Sequence, residues 1–254
     1  MLFLYMACLV TFFSMKLKKK SDAYLISIII WMTTIYVSNE VFSIGNNLDF
    51  IHLFSFYGVL VACLIVAVLF KANKYHCNWK KTLGEFYNIN IHHNRNVKLI
   101  AFFFVIIFLM GIVTIPHTVD SMTYGMTRIA YWTRNASVAH YATNDVRAVT
   151  SPPLAEFVNL QVYILHQQKD NFFTLLQTSS FITNAILVWG ICRKLEIDRK
   201  YCYIGLLLFI SMPIAFAEAF TTQVDNFSAL WMLATVYLLM ASYFCLLYFR
   251  FCEL

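Results

Sequence analysis

Long apolar runs separated by short polar breaks make up most of this chain. Runs at 1–15, 23–42, 51–70, 99–115, 171–192, 203–220 and 227–249 lack the two-residue alternation of a half-buried strand. Several approach or exceed the roughly 18 residues at which an apolar run reads as a membrane-crossing helix. The pattern predicts an all-α, polytopic helical membrane protein of about seven transmembrane helices. One interval departs from it. Between 116 and 156 polar, charged and aromatic residues alternate, and this is where chemistry would have to sit. Within it Met122, Met126, Ile129 and Trp132 recur at helical spacing, which predicts an amphipathic helix at the membrane surface. Tyr124, Tyr131 and Trp132 would lie at headgroup level.

Charge orients the runs. Lys16, Lys18, Lys19 and Lys20 follow the first run rather than precede it, the reverse of a secretory signal. The loop 71–98 carries Lys71, Lys74, Lys80, Lys81, Arg95 and Lys98 against the single acid Glu85, and the segment 193–200 is again basic. Positive residues mark cytoplasmic loops, so the N-terminus is expected outside and the C-terminus inside. Parity then allows only one crossing between the exit of 99–115 and the basic segment at 193–200. The stretch 152–166 would be about 21 Å long as a helix, too short to cross comfortably. It reads as a re-entrant or surface helix on the outer side, and 171–192 as the span. The expected organisation is three N-terminal helices with a basic loop over 1–98, then a module over 99–254. That module has a large outer loop at 116–170 and a tight second outer loop at 221–226.

Composition agrees. The chain is 60% hydrophobic and 13% charged, with mean hydropathy +0.66, whereas a soluble domain carries about a quarter charged residues. The net charge of +6 falls in short loops, so it is a topology signal and not a nucleic-acid one. The partner implied is a lipid bilayer, with no nucleic acid. The seven cysteines contain no CxxC, and His92 and His93 lack metal-site partners, so neither a disulfide framework nor a zinc site is expected.

On the outer face Asp120 and Asp225 each fall near the end of a span. Two carboxylates at one membrane face can act as a general base and as partner for a divalent metal ion or a second proton. Each also sits where an N-cap would, and the ordinary reading of such a residue is a cap. Arg128, Arg134 and Arg147 put three guanidinium forks in one loop, suited to a lipid-linked phosphate or to plain surface anchoring. His140 and Asp145 lie between the two predicted outer helices. Thr150 or Ser151 with Pro152 and Pro153 predicts a helix start, with Glu156 in its first turn. Glu218 is an acid inside the sixth run, where such residues face a polar cavity. The glycosylation patterns at Asn135 and Asn226 arise often by chance, and nothing is built on them.

These residues resemble a known class. Asp-Ser-Met-Thr-Tyr at 120–124, Tyr-Trp at 131–132, His-Tyr-Ala-Thr-Asn-Asp at 140–145 and Ser-Pro-Pro-Leu-Ala-Glu at 151–156 look like the first large outer loop of GT-C-fold glycosyltransferases. The resemblance is to enzymes of bacterial surface polysaccharide assembly, related to the protein O-mannosyltransferase and aminoarabinose-transferase superfamily. Thr-Thr-Gln-Val-Asp-Asn at 221–226 resembles their second outer loop, and the likeness covers roughly 99–249. It implies a sugar passed from a polyprenyl-phosphate-linked donor to a glycan or lipid acceptor hydroxyl at the outer face of a bacterial inner membrane. Asp120 would be the general base, and Asp225 would support metal, donor or acceptor binding. Tyr124, Arg128, Arg134, His140, Asp145, Arg147 and Glu156 would be substrate-binding candidates. Members of the class usually continue with further spans after the second outer loop, so the resemblance also implies a truncated chain. A transporter or flippase subunit of polysaccharide export, and a non-catalytic remnant, are the rival expectations.

Overall fold

A computed structural model of the chain describes residues 1–17, 20–74 and 95–252, with side chains described except at 20, 72–74 and 241–252. Most of the basic loop, including Lys80, Lys81, Glu85, His92 and His93, lies outside the described residues, as do Lys18 and Lys19. Every regular element among the described residues is helical. Helices α1 (Leu2–Ser14), α2 (Lys20–Ile44), α3 (Phe50–Lys74) and α4 (Arg95–Val113) come first. A π-helical turn, Ser121–Gly125, then leads into α5 (Met126–Asn135), α6 (Arg147–Thr150) and α7 (Leu154–Leu165). The chain closes with α8 (Leu175–Lys194), α9 (Arg199–Ile210), α10 (Pro213–Glu218) and α11 (Asp225–Cys252).

Among the described residues four helices are long and apolar enough to cross a membrane: Ser21–Ile44, Phe50–Lys71, Arg95–Val113 and Leu175–Lys194. The other three expected spans differ for separate reasons. Helix α1 has 13 residues and reaches about 20 Å, against a hydrocarbon core of about 30 Å. The sixth run is two helices, because Pro213 cannot continue the first and instead starts the second. Helix α11 is long at 28 residues, and only part of it has described side chains. Helix α7 has 12 residues, as the parity argument requires of a segment that does not cross. Every residue from Ala155 to Gln161 in it is buried within the protein.

The chain divides into two compact units, 1–109 with 130–141 and 160–169, and 110–129 with 142–159 and 170–254. In the first unit α1 lies against α2 and α3. Polar side chains are satisfied inside this apolar bundle, as burial requires. The Tyr57 hydroxyl donates to Gln161 Oε1 at 2.6 Å, Gln161 Nε2 donates to Ser38 Oγ at 2.8 Å, and Tyr5 and Thr34 share a 3.0 Å bond. Ser43 and Ser137 are joined at 2.7 Å, and the Leu48 N–H donates to the Ala136 carbonyl at 3.1 Å. Those last two bonds tie the α2–α3 turn to the segment that follows α5.

In the second unit α8 is the central helix, with α9 and α11 against it. It buries Gln177, Thr178, Ser180, Thr183 and Asn184, polar groups that would be costly in lipid. Ser180 and Thr183 donate to carbonyls of their own helix, and the other three reach neighbouring segments. Thr178 Oγ1 donates to the Ala219 carbonyl at 2.7 Å. Asn184 Nδ2 donates to the Asn226 carbonyl at 2.8 Å, and Gln177 Oε1 accepts the Phe227 N–H at 3.2 Å. Thr174 Oγ1 donates to the Gly111 carbonyl. Gly111 is required at this approach, since a Cβ there would collide with the Thr178 side chain. These contacts hold the loop 221–226 over the end of α8 and the start of α11.

Candidate functional site

The residues that converge in the second unit are Asp120, Tyr124, Asp145, Arg147 and Gln223. Their placement starts with Thr118, whose Oγ1 accepts the Ser121 N–H at 3.3 Å and shares a 2.6 Å bond with Ser121 Oγ. Thr118 thereby caps the turn that Asp120 was expected to cap. Asp120 has helical backbone angles and makes no side-chain cap bond. Its carboxylate instead accepts Arg147 Nη1 at 2.8 Å on Oδ1 and Gln223 Nε2 at 3.0 Å on Oδ2. Both carboxylate oxygens are thus taken up away from its own helix start, one of them by an ion pair. The capping expectation also fails for Asp225. It opens α11, is exposed, and makes no hydrogen bond or ion pair among the described residues, while the Ser228 N–H goes to the Val224 carbonyl at 2.8 Å.

The π-helical turn follows Asp120 directly, and wide turns of this kind frequently occur at functional sites. It widens the chain by one residue per turn, with Thr127 Oγ1 donating to the Met122 carbonyl five residues back at 2.9 Å. The Thr222 N–H donates to Ser121 Oγ at 3.2 Å. That bond and the one from Gln223 join the two loops expected on the outer face.

Arg147 is the cation of the cluster. Its Nε and Nη2 donate to the two oxygens of Asp145 at 3.1 and 2.9 Å, a bidentate fork, while Nη1 reaches Asp120. Its guanidinium carbon lies 4.7 Å from the centroid of the Tyr124 ring, a cation–π distance. The Arg147 side chain is 52% exposed and that of Asp120 38% exposed, so the pair stands in contact with solvent. Arg147 holds the Asp145 carboxyl below the usual carboxylate range. The Tyr124 phenol is pushed above its ordinary value, first by burial and then by the charge of Asp120, with Asp225 adding to it. Both aspartates of the sequence argument therefore act on one phenol, although only Asp120 is bonded into the cluster.

A second pair supports the first. Arg128 Nη1 lies 3.2 Å from Glu156 Oε1, and these side chains are 2% and 5% exposed. Arg128 also donates through Nε and Nη2 to the Ala148 carbonyl at 2.9 and 2.6 Å. Its Nη2 donates to the Ser151 carbonyl at 3.0 Å as well. The guanidinium thus grips the short helix that begins with Arg147, from the side opposite the solvent. So engaged, Arg128 presents no open fork to a phosphate. Burial raises the Glu156 carboxyl above its ordinary value, and Arg128 offsets part of that rise.

The remaining expected residues are not bonded into this cluster. Arg134 and His140 are exposed, belong to the first unit, and make no hydrogen bond or ion pair among the described residues. Glu218 ends α10, and Asn226 rather than Glu218 bonds the backbone of that helix, at the Ala215 carbonyl (2.8 Å). Sequence reasoning missed Gln223 and Thr118. The signal available was their polarity, at the ends of the two loops already suspected.

The donor set does not fit a divalent ion. Such an ion takes several oxygen ligands, yet the cation facing Asp120 is the Arg147 guanidinium, and Asp225 is not bonded into the cluster. Among the described residues no group of three or more His, Cys, Asp or Glu side chains forms a metal site. What the arrangement can do is place an accessible carboxylate beside a neutral phenol and a guanidinium. No family model, no curated protein and no solved structure matches the chain.

Proposed function

We propose that this chain is a membrane glycosyltransferase that uses a polyprenyl-phosphate-linked sugar at the outer face of a bacterial inner membrane. The proposal carries the seven-span topology with it, N-terminus outside and C-terminus inside. The observation that supports it most is the Asp120 carboxylate, held by Arg147 and Gln223 rather than spent on its own helix start, and open to solvent.

In this reading Asp120 takes the proton from an acceptor hydroxyl. The acceptor oxygen forms its bond to the anomeric carbon as the bond from that carbon to the phosphate oxygen breaks, and the electron pair leaves with the polyprenyl phosphate. Arg147 uses three of the five N–H groups of a guanidinium on the two aspartates. The other two are free to meet the departing phosphate. Tyr124, kept protonated, is a neutral donor beside the base. The export-subunit alternative would use Arg128, Arg134, Arg147 and Glu218 to line a path, and of these Arg128 is engaged by Glu156 and two carbonyls.

The test is Asp120→Asn in a transfer assay with a panel of polyprenyl-phosphate sugars. Loss of a general base lowers turnover by about 10²–10⁴-fold. Near-normal turnover in the variant would remove Asp120 from the reaction.

A further inference from the structure

The first unit carries a cleft that plays no part in the proposed transfer. It has a volume of about 340 Å³ and lies where the α2–α3 turn meets the ends of α5 and α7. Its floor is apolar, with Leu48 and Ile164 both buried. Its rim carries Asp49, the Phe50 ring and the two consecutive amides Gln167 and Gln168.

The backbone around the cleft is unusual. Gln167 and Gln168 have φ of 56° and 61°, and Ala136 on the facing wall has φ of 47°. This is the left-handed region that glycine enters without penalty and other residues seldom occupy. A helix that merely needs to stop is served better by glycine at such a place. Two glutamines here retain the conformational cost and in return place two primary amides at the mouth of the cleft. Neither amide makes a hydrogen bond among the described residues, and both residues are exposed. Asp49 is held in place from its own side: Oδ1 accepts the His52 N–H at 3.0 Å, and both carboxylate oxygens lie 2.9 Å from His52 Nδ1.

The chemistry of the lining selects among ligands. No Lys or Arg lines the cleft and one carboxylate does, which disfavours a phosphate or a carboxylate ligand. A primary amide both donates and accepts, and a carboxylate accepts from hydroxyls. An aromatic ring beside them offers a face for C–H groups. Donor–acceptor amides, an acid and a ring above an apolar floor match the alternating hydroxyl and C–H surfaces of a sugar ring. We propose that this cleft is a binding subsite for a neutral hexopyranose unit, read by Gln167, Gln168 and Asp49 and seated against Phe50. The site stands independently of the Asp120 reaction, and its test measures binding alone.

The experiment is saturation-transfer NMR on the full chain in lipid nanodiscs, with methyl glucoside, methyl galactoside, methyl mannoside and N-acetylglucosamine as probes and glucose 6-phosphate as the charged control. At least one neutral sugar is expected to receive saturation and the phosphate sugar far less. Gln168→Gly removes the amide while relaxing the backbone, so a loss of signal cannot be ascribed to a disturbed fold. It should weaken binding by about five- to tenfold, the effect of one lost hydrogen bond. Phe50→Leu should weaken the same sugar. The proposal is overturned if no neutral sugar binds, if glucose 6-phosphate binds equally well, or if Gln168→Gly leaves the signal unchanged.

Discussion

Two arginine–carboxylate pairs in the same unit use the same chemistry in opposite surroundings. Arg128 and Glu156 are almost fully buried, whereas Arg147 and Asp120 are half open to water. A buried pair carries a desolvation cost that its attraction only partly offsets, so removing one partner leaves a charge that nothing compensates. An exposed pair has little desolvation to lose and is screened by solvent, so its partners can exchange for other ions. The buried pair is therefore the structural one. It grips the Ala148 and Ser151 carbonyls and thereby sets where the helix beginning with Arg147 can lie. The exposed pair is the one with freedom to meet a substrate.

Breaking the buried pair gives the largest expected effect on stability. Arg128→Ala should destabilise the protein by about 3–5 kcal/mol, read as a fall in thermal unfolding temperature in a fixed detergent. The double variant Arg128→Met, Glu156→Leu should recover much of that. It should stay somewhat below the parent, because the Ala148 and Ser151 carbonyls are left without their donor. A double variant as unstable as Arg128→Ala would mean that the carbonyl grip, and not the charge, is what matters.

The next effect is smaller and depends on pH. Glu156 has its carboxyl raised above the ordinary value of 4.5 by burial, so the fold favours its protonated form. Its contribution is full below pH 4.5 and is lost as pH rises through the raised value. The unfolding temperature of the parent should therefore fall relative to that of Glu156→Gln as pH increases from 4.5. A difference that stays constant across that range would contradict the assignment.

The exposed pair should answer differently. Arg147→Gln is expected to leave the unfolding temperature without resolvable change while depressing sugar transfer. A large loss of stability would erase the contrast between the pairs. Smallest of all is the Asp145 effect. Arg147 lowers its carboxyl below the ordinary 3.8, so its contribution is present above pH 3.8 and is lost as pH falls through the lowered value. Parent and Asp145→Asn should converge in stability below that point, and a gap that persists there would exclude this titration.

Much of the helical framework was legible along the chain. The runs at 23–42, 51–70, 99–115 and 171–192 became helices with ends displaced by only a few residues, because an uninterrupted apolar run in lipid has to satisfy its backbone internally. Pro213 broke its run as proline must. The capping of Asp120 was misjudged, because a cap is a competition. Position in a sequence names the local donor but not the guanidinium or amide that arrives from elsewhere. Arg128 could not be told from its neighbours for a related reason. Three arginines in one loop look alike until burial separates the one that grips two carbonyls from the one that faces water.

What the sequence determined by itself was therefore the one-dimensional part: which stretches are helical, and that 152–166 is too short to cross comfortably. These follow from hydropathy, helix rise and proline, which act within a single segment. Only the tertiary structure decided that Asp120 answers to Arg147 and Gln223, that Thr118 takes over its cap, and that Arg128 serves the fold. Those outcomes depend on which groups meet across 20 to 100 residues of chain, and on whether water is present where they do.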